Sequence, residues 1–264
     1  MSNGSETLEA ANTPDVPALN LFSIKGKHAL VTGGSRGIGA VMAKALADAG
    51  ASVCLAQRDL SNTNTADKLR AQGTRVELVQ CDLNNLQDAK GVVSKAVDAM
   101  DGRIDIVVNC GGLLKRKPSV DVEEEEWDEV VDVNLKALFF ICQAAGRHMI
   151  PRRAGKIVNV ASLNSFIGGE AVASYAASKG AVSQLTKALS NEWAKYNIQV
   201  NAIAPGSIAT DINTDLRSDP QQYAARIARC PAGRWGTPAD FAGPTVFLCS
   251  EASHPGYDLF TMIR

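Results

Sequence analysis

Short apolar runs alternate with longer amphipathic stretches through most of the chain. Lys27–Thr32, Ala51–Ala56, Val76–Val79, Ile104–Val108, Lys156–Ala161 and Ile198–Ala204 are dominated by Val, Ile, Leu and Ala, the pattern of strands covered on both faces in a parallel sheet. Between them, Ala40–Ala49, Leu86–Met100, Glu123–Met149, Ser174–Lys195 and the stretch from Thr237-Pro238 to Cys249 carry helical patterning. This alternation predicts an α/β fold, a doubly wound and mostly parallel seven-stranded sheet in the order 3-2-1-4-5-6-7 with helices on both faces. The seventh strand is expected to open at Gly256-Tyr257-Asp258-Leu259-Phe260 and to be truncated.

Two junctions in this pattern carry chemistry. Gly33-Gly34-Ser35-Arg36-Gly37-Ile38-Gly39 joins the first strand to the first helix. Glycines there let backbone N–H groups approach a pyrophosphate, and the helix aims its positive end at it; an ordinary glycine-rich turn is the alternative. At the other junction, Tyr175 and Lys179 lie four residues apart on one helical face, and Ser162 follows the strand Lys156–Ala161. A phenol near an ammonium suits acid–base catalysis, because the charge favours the phenolate. By itself Tyr-x-x-x-Lys is commonplace, and most such pairs are merely solvated.

Length and composition change the picture by exclusion. A chain of 264 residues suits one well-packed domain, expected over 21–264 after an aperiodic, disordered leader, Met1–Asn20. The net charge of −1 comes from interspersed acids and bases, with no basic surface for nucleic acid and no polybasic membrane patch. No apolar run approaches a bilayer span, and the amino end lacks a secretory layout, so a cytoplasmic location is expected. Six dispersed cysteines without C-x-x-C suggest reduced core residues, and three scattered histidines have no ligand spacing, so no metal is expected.

Gly33-x-x-x-Gly37-x-Gly39, together with Asn109-Cys110-Gly111-Gly112, Asn134, Ser162, Tyr175, Lys179 and Pro205-Gly206, resembles the short-chain dehydrogenase/reductase superfamily in order and spacing over about residues 21–260. Ala161-Ser162-Leu163-Asn164-Ser165-Phe166-Ile167-Gly168-Gly169, Asn191–Ile198 and Pro231-Ala232-Gly233-Arg234-Trp235-Gly236 narrow the likeness to gluconate 5-dehydrogenase and 2-dehydro-3-deoxygluconate 5-dehydrogenase. The resemblance implies a Rossmann-type three-layer sandwich and a reversible hydride transfer between a nicotinamide cofactor and a carbonyl/secondary-alcohol pair. Sugar acids or polyols lead as substrates, with a ketoreductase of secondary metabolism, or a nucleotide-binding product without turnover, as alternatives.

In that reading Tyr175 is the general acid, Lys179 lowers its pKa and holds the ribose, Ser162 orients the carbonyl, and Asn134 maintains a proton path. The cofactor is implied to lie against Gly33, Ser35, Arg36, Gly37, Ile38, Gly39, Asp82, Leu83, Asn109, Gly111 and Pro205, with Ile208 and Thr210 at the carboxamide. Gln57-Arg58 ends the second strand where an acid would favour NAD(H); Arg58, aided by Arg36, favours NADP(H) instead. The four acids from Glu123 are expected to be a solvated first turn, and Ser207–Trp235 a substrate lid. A homodimer or homotetramer is implied, loosened by an ending, Thr261-Met262-Ile263-Arg264, that departs from the family pattern.

Overall fold

The computed structural model describes residues 16–253 and the backbone of 260–263. Six parallel strands follow the apolar runs: β1 (His28–Thr32), β2 (Ser52–Gln57), β3 (Val76–Gln80), β4 (Ile106–Asn109), β5 (Gly155–Val160) and β6 (Ile198–Pro205). They lie side by side in the order β3-β2-β1-β4-β5-β6, a Rossmann-like parallel sheet, and Phe260–Ile263 runs parallel to β6 from Ala202 to Pro205. Val31 pairs with Leu55 on one side and Val108 on the other, and Val108 with Val158, so the strand centres form one apolar row.

Helices α1 (Gly37–Asp48), α2 (Asn64–Ala71), α3 (Leu86–Ala99), α4 (Glu124–Val131), α5 (Leu138–Met149) and α6 (Ala173–Trp193) follow in turn. Beyond β6 come α7 (Thr214–Ser218), α8 (Pro220–Ile227) and α9 (Ala242–Cys249). One face of the sheet buries Met42, Leu46, Phe241 and Leu248 from α1 and the α9 region. The other buries Val92, Val93, Ile141, Val182 and Trp193 from α3, α5 and α6. Burial on both faces explains why the strand sequences lack alternation.

Two boundaries differ from the sequence reading, and a third lies outside the described residues. Residues 1–15 of the expected leader lie outside the described residues, and its end, Ala18–Phe22, forms a 3₁₀ turn whose Phe22 ring meets Phe247 at 6.3 Å. The start of the expected seventh strand, Gly256–Leu259, also lies outside the described residues. The stretch from Glu123 to Met149 is interrupted: a π-helical turn, Asp132–Ala137, joins α4 to α5. Such bulges insert an extra residue and gather at functional sites.

Candidate active site

Ser162 stands just past the end of β5, where parallel strands present their carboxyl ends to ligands. Its backbone amide donates to Ser165 Oγ at 3.3 Å and its hydroxyl accepts from Asn164 N at 3.1 Å. Ser165 Oγ donates in turn to Lys179 O at 2.6 Å, tying this turn to α6. Tyr175 and Ser162 both line the pocket that opens here, and the serine hydroxyl is close enough to pull the phenol's pKa down. Lys179, one helical turn after Tyr175, places its ammonium 5.8 Å from the tyrosine ring centre and donates to Val160 O at 2.7 Å.

Electrostatics here differ from expectation. Burial pushes Tyr175 above the ordinary phenol range; the Ser162 hydroxyl and the Arg116 charge pull the other way but do not win. The Lys179 ammonium is engaged with Val160 O, and burial pushes its own pKa down to about 8, which the nearby Cys110 partly opposes. Arg116, which sequence reading passed over, also pulls on the phenol.

Asn134, fully buried on the π turn, accepts from Leu113 N at 2.7 Å and donates to Leu113 O at 2.8 Å and Ser178 Oγ at 3.1 Å. It clamps the loop after β4 onto α6. A Cβ at Gly112 would sit 3.2 Å from Asn134 Oδ1 and 3.6 Å from Lys179 Nζ, so glycine keeps the space between them clear.

The nucleotide end is built on close backbone approach. Gly33 has φ of +66°, and a Cβ there would stand 2.8 Å from Gly111 Cα; a Cβ on Gly39 would collide with Gly33 O. Ser35 O accepts from Thr65 Oγ1 at 2.9 Å, and Arg36 pairs with Asp211 at 3.0 Å, both side chains exposed. Gly37, at φ +58°, faces Thr210, and Ile38 packs against the α1 side of the core. At the end of β2, buried Gln57 donates to Asp59 O and Asn62 O, each at 2.7 Å. Asp59 turns its carboxylate onto Ser61, whose hydrogen bonds hold it below the usual range. Arg58 is left exposed at the same turn, without an ion pair among the described residues.

Asp82 caps Asn84 N at 3.0 Å, Leu83 packs beside Gly111, and Gly111 N donates to Thr32 Oγ1 at 3.2 Å. Asn109 does not offer its amide nitrogen outward: it donates to Asn159 Oδ1 at 2.9 Å and Cys142 Sγ at 3.3 Å, while its Oδ1 is buried without a partner. Pro205 ends β6, and Ile208, 2% exposed, bridges to Gly236. Its carbonyl accepts from Thr210 N and Asn213 Nδ2.

A pocket opens over Ser162 and Tyr175, lined also by Leu114, Arg116, Asn213, Arg226 and Trp235. Trp235 stacks on Tyr223 with ring centres 5.8 Å apart, and its buried Nε1 has no acceptor among the described residues. Of the four acids that open α4, Glu123 to Glu125 are exposed as expected, while Glu126 pairs with Lys117 at 2.7 Å; further along α4 Glu129 pairs with Lys115, and the two pairs fasten the Arg116 loop. Among the described residues no His, Cys, Asp and Glu cluster is arranged to hold a metal ion, and no helix is long and apolar enough to cross a membrane.

Sequence comparison matches the family described as short chain dehydrogenase over residues 27–221. The chain belongs to the short-chain dehydrogenase/reductase family. It is 44% identical over 236 residues to 2-dehydro-3-deoxy-D-gluconate 5-dehydrogenase of Escherichia coli, covering 89% of this chain and 92% of that one. It is 40% identical to gluconate 5-dehydrogenase of Gluconobacter oxydans, covering 89% and 91%. The crystal structure of a gluconate 5-dehydrogenase from Burkholderia cenocepacia, in complex with NADP and tartrate, superposes with a TM-score of 0.89 at 36% identity, over 94% of this chain and 97% of that one. The subgroup expected from the motifs is thus the one found, and the chain is an NAD(P)-dependent oxidoreductase.

Proposed function

We propose that this enzyme oxidises a secondary alcohol of a sugar acid, and reduces the matching ketone, with NADP(H). The observation that carries the reading is one pocket at the mouth of β5 lined by Ser162, Tyr175 and Arg116, with buried Lys179 held 5.8 Å from the tyrosine ring centre. The sugar-acid assignment is supported by the relatives named above.

The nucleotide end fits the cofactor: the glycine approaches at Gly33 and Gly39 leave room for backbone alone, and the unpaired Arg58 beside a self-satisfied Asp59 suits a 2′-phosphate better than free ribose hydroxyls. When bound, NADP(H) supplies or accepts the hydride. Gly33, Ser35, Gly37, Ile38 and Gly39 would hold the pyrophosphate, Arg36 and Arg58 the 2′-phosphate, and Asp82 and Leu83 the adenine side. Gly111, Asn109, Pro205, Ile208 and Thr210 would line the nicotinamide side, with Asn109 acting through the β4–β5 packing.

In reduction Tyr175 donates its phenolic proton to the carbonyl oxygen while Ser162 donates a hydrogen bond to that oxygen. Lys179 returns a proton toward Tyr175, and Asn134 holds Leu113 so that the space beside Lys179 stays open. Oxidation runs the same transfers backward. The working unit is taken as one domain over 21–264, with Phe260–Ile263 as a short seventh strand, assembled as a homodimer or homotetramer.

Mixing the purified protein with NADP⁺ and either gluconate or 2-dehydro-3-deoxy-D-gluconate should generate reduced-nicotinamide absorbance. NADPH binding with no turnover of any sugar acid would overturn the reading.

A further inference from the structure

The loop after β4 carries three consecutive cations that separate in space. Lys115 pairs with Glu129 and Lys117 with Glu126, both on α4. Arg116, between them, lines the pocket and donates from Nη2 to the uncharged Asn213 Oδ1 at 2.9 Å. Arg226, near the end of α8, lines the same pocket. Neither arginine makes an ion pair among the described residues, whereas nearby Arg36 and Arg234 pair with Asp211 and Asp240, each at 3.0 Å.

Two guanidinium groups therefore line one pocket with a single acid, exposed Glu170, leaving the lining net positive in a chain whose total charge is −1. They feel each other: burial and then Arg226 hold Arg116 below the usual guanidinium range, with Asp215 only partly compensating. A carboxylate placed between the two would remove that repulsion and satisfy fixed N–H donors in the planar geometry guanidinium favours.

We propose that Arg226 is a specificity-determining residue which, together with Arg116, takes the substrate's carboxylate, so that the pocket selects hydroxy acids over neutral polyols of the same length. This rests on the sugar-acid reading above and assigns its selectivity to a residue of α8.

The test compares wild type with Arg226→Gln and Arg226→Lys, using NADP⁺-loaded protein. Steady-state KM and kcat are measured for gluconate and for glucitol, its neutral counterpart, and tartrate binding is followed by calorimetry. Arg226→Gln should raise the gluconate KM and the tartrate Kd by about 10- to 100-fold, the range for losing a hydrogen bond to a charged group. Its kcat should stay within about 3-fold, because the residue acts in binding and not in proton transfer. The glucitol KM should stay put, and Arg226→Lys should recover part of the loss. Arg229→Gln, exposed on the next turn, should change nothing.

Equal KM increases for gluconate and glucitol, an unchanged tartrate Kd, or no tartrate binding by wild type would overturn the assignment. A wild-type enzyme oxidising both compounds equally well would do the same while leaving the dehydrogenase reading intact. Tartrate binding without any turnover would count against the dehydrogenase reading alone, and the Arg226→Gln Kd would still decide the role of the arginine.

Discussion

The ammonium of Lys179 donates to the carbonyl oxygen of Val160 at 2.7 Å from a site only 4% exposed. Its pKa of about 8, against an ordinary 10.5, means that between those values the unfolded chain binds a proton that the folded one does not. The cost of the buried charge is therefore complete below about pH 8 and disappears as the pH rises toward 10.5. At about 1.4 kcal/mol per unit this amounts to roughly 3 kcal/mol.

Lys179→Met should abolish turnover yet hold its own in stability at neutral pH, because losing the charge offsets the unsatisfied Val160 carbonyl, itself worth about 1–3 kcal/mol. Denaturant melts at both ends of that pH window should show the variant's relative stability falling by roughly 3 kcal/mol as pH rises. A difference independent of pH would mean that the ammonium is not buried at a cost.

Tyr175→Phe removes the transferable proton and keeps the ring. Turnover should fall by about 10²- to 10⁴-fold, the usual loss for a positioned acid–base group, with NADPH affinity unchanged. Because burial raises the Tyr175 pKa, the wild-type phenol stays protonated at neutral pH. Reduction should accordingly be flat through neutrality, while oxidation, which needs the phenolate, should keep climbing on the alkaline side. Rate–pH profiles in both directions check this, and an oxidation rate that peaks near neutrality would contradict it.

Arg58→Asp should shift preference from NADPH toward NADH, since it removes a phosphate partner and adds repulsion beside Asp59. The ratio of kcat/KM for the two cofactors reads the outcome. A wild type already favouring NADH would refute the phosphate role.

Asn134→Ala leaves Leu113 N and Leu113 O without their partner, at a cost of about 1–3 kcal/mol for each group that stays buried. The loop that carries Arg116 should loosen, so hydrogen exchange at 113–117 should quicken together with a fall in kcat. Full activity with fast exchange there would separate Asn134 from the chemistry.

The parallel sheet was legible because strands covered on both faces leave continuous apolar runs, and the glycine loop was legible because only glycine permits the backbone approach at Gly33 and Gly39. The Ser162, Tyr175 and Lys179 set was found through motif spacing, and the structure brings all three together. Motif reading could not see that Lys179 spends its proton on Val160 O, since that depends on burial. It also took the whole run Glu123–Glu126 as solvent-facing: Glu123 to Glu125 are, but Glu126 finds Lys117, and Glu129 beyond the run finds Lys115, through a loop whose path the periodicity does not encode. The only available signal was Lys115-Arg116-Lys117 standing before that acidic run: two acids answered, and the middle cation was left over.

Met149 lies 19 positions after Val130, and both are fully buried. Five regular turns would use about 18 residues, so a straight α-helix would bring one of the two out of phase by roughly 100°. The π turn at Asp132–Ala137 absorbs that surplus residue, and Asn134 sits in the loop of backbone it creates. Removing one residue from this turn would thus leave a more regular helix with both anchors in phase and the fold intact, while Asn134 lost its grip on Leu113. The helix is one residue longer than its packing requires, and the extra length belongs to the active site.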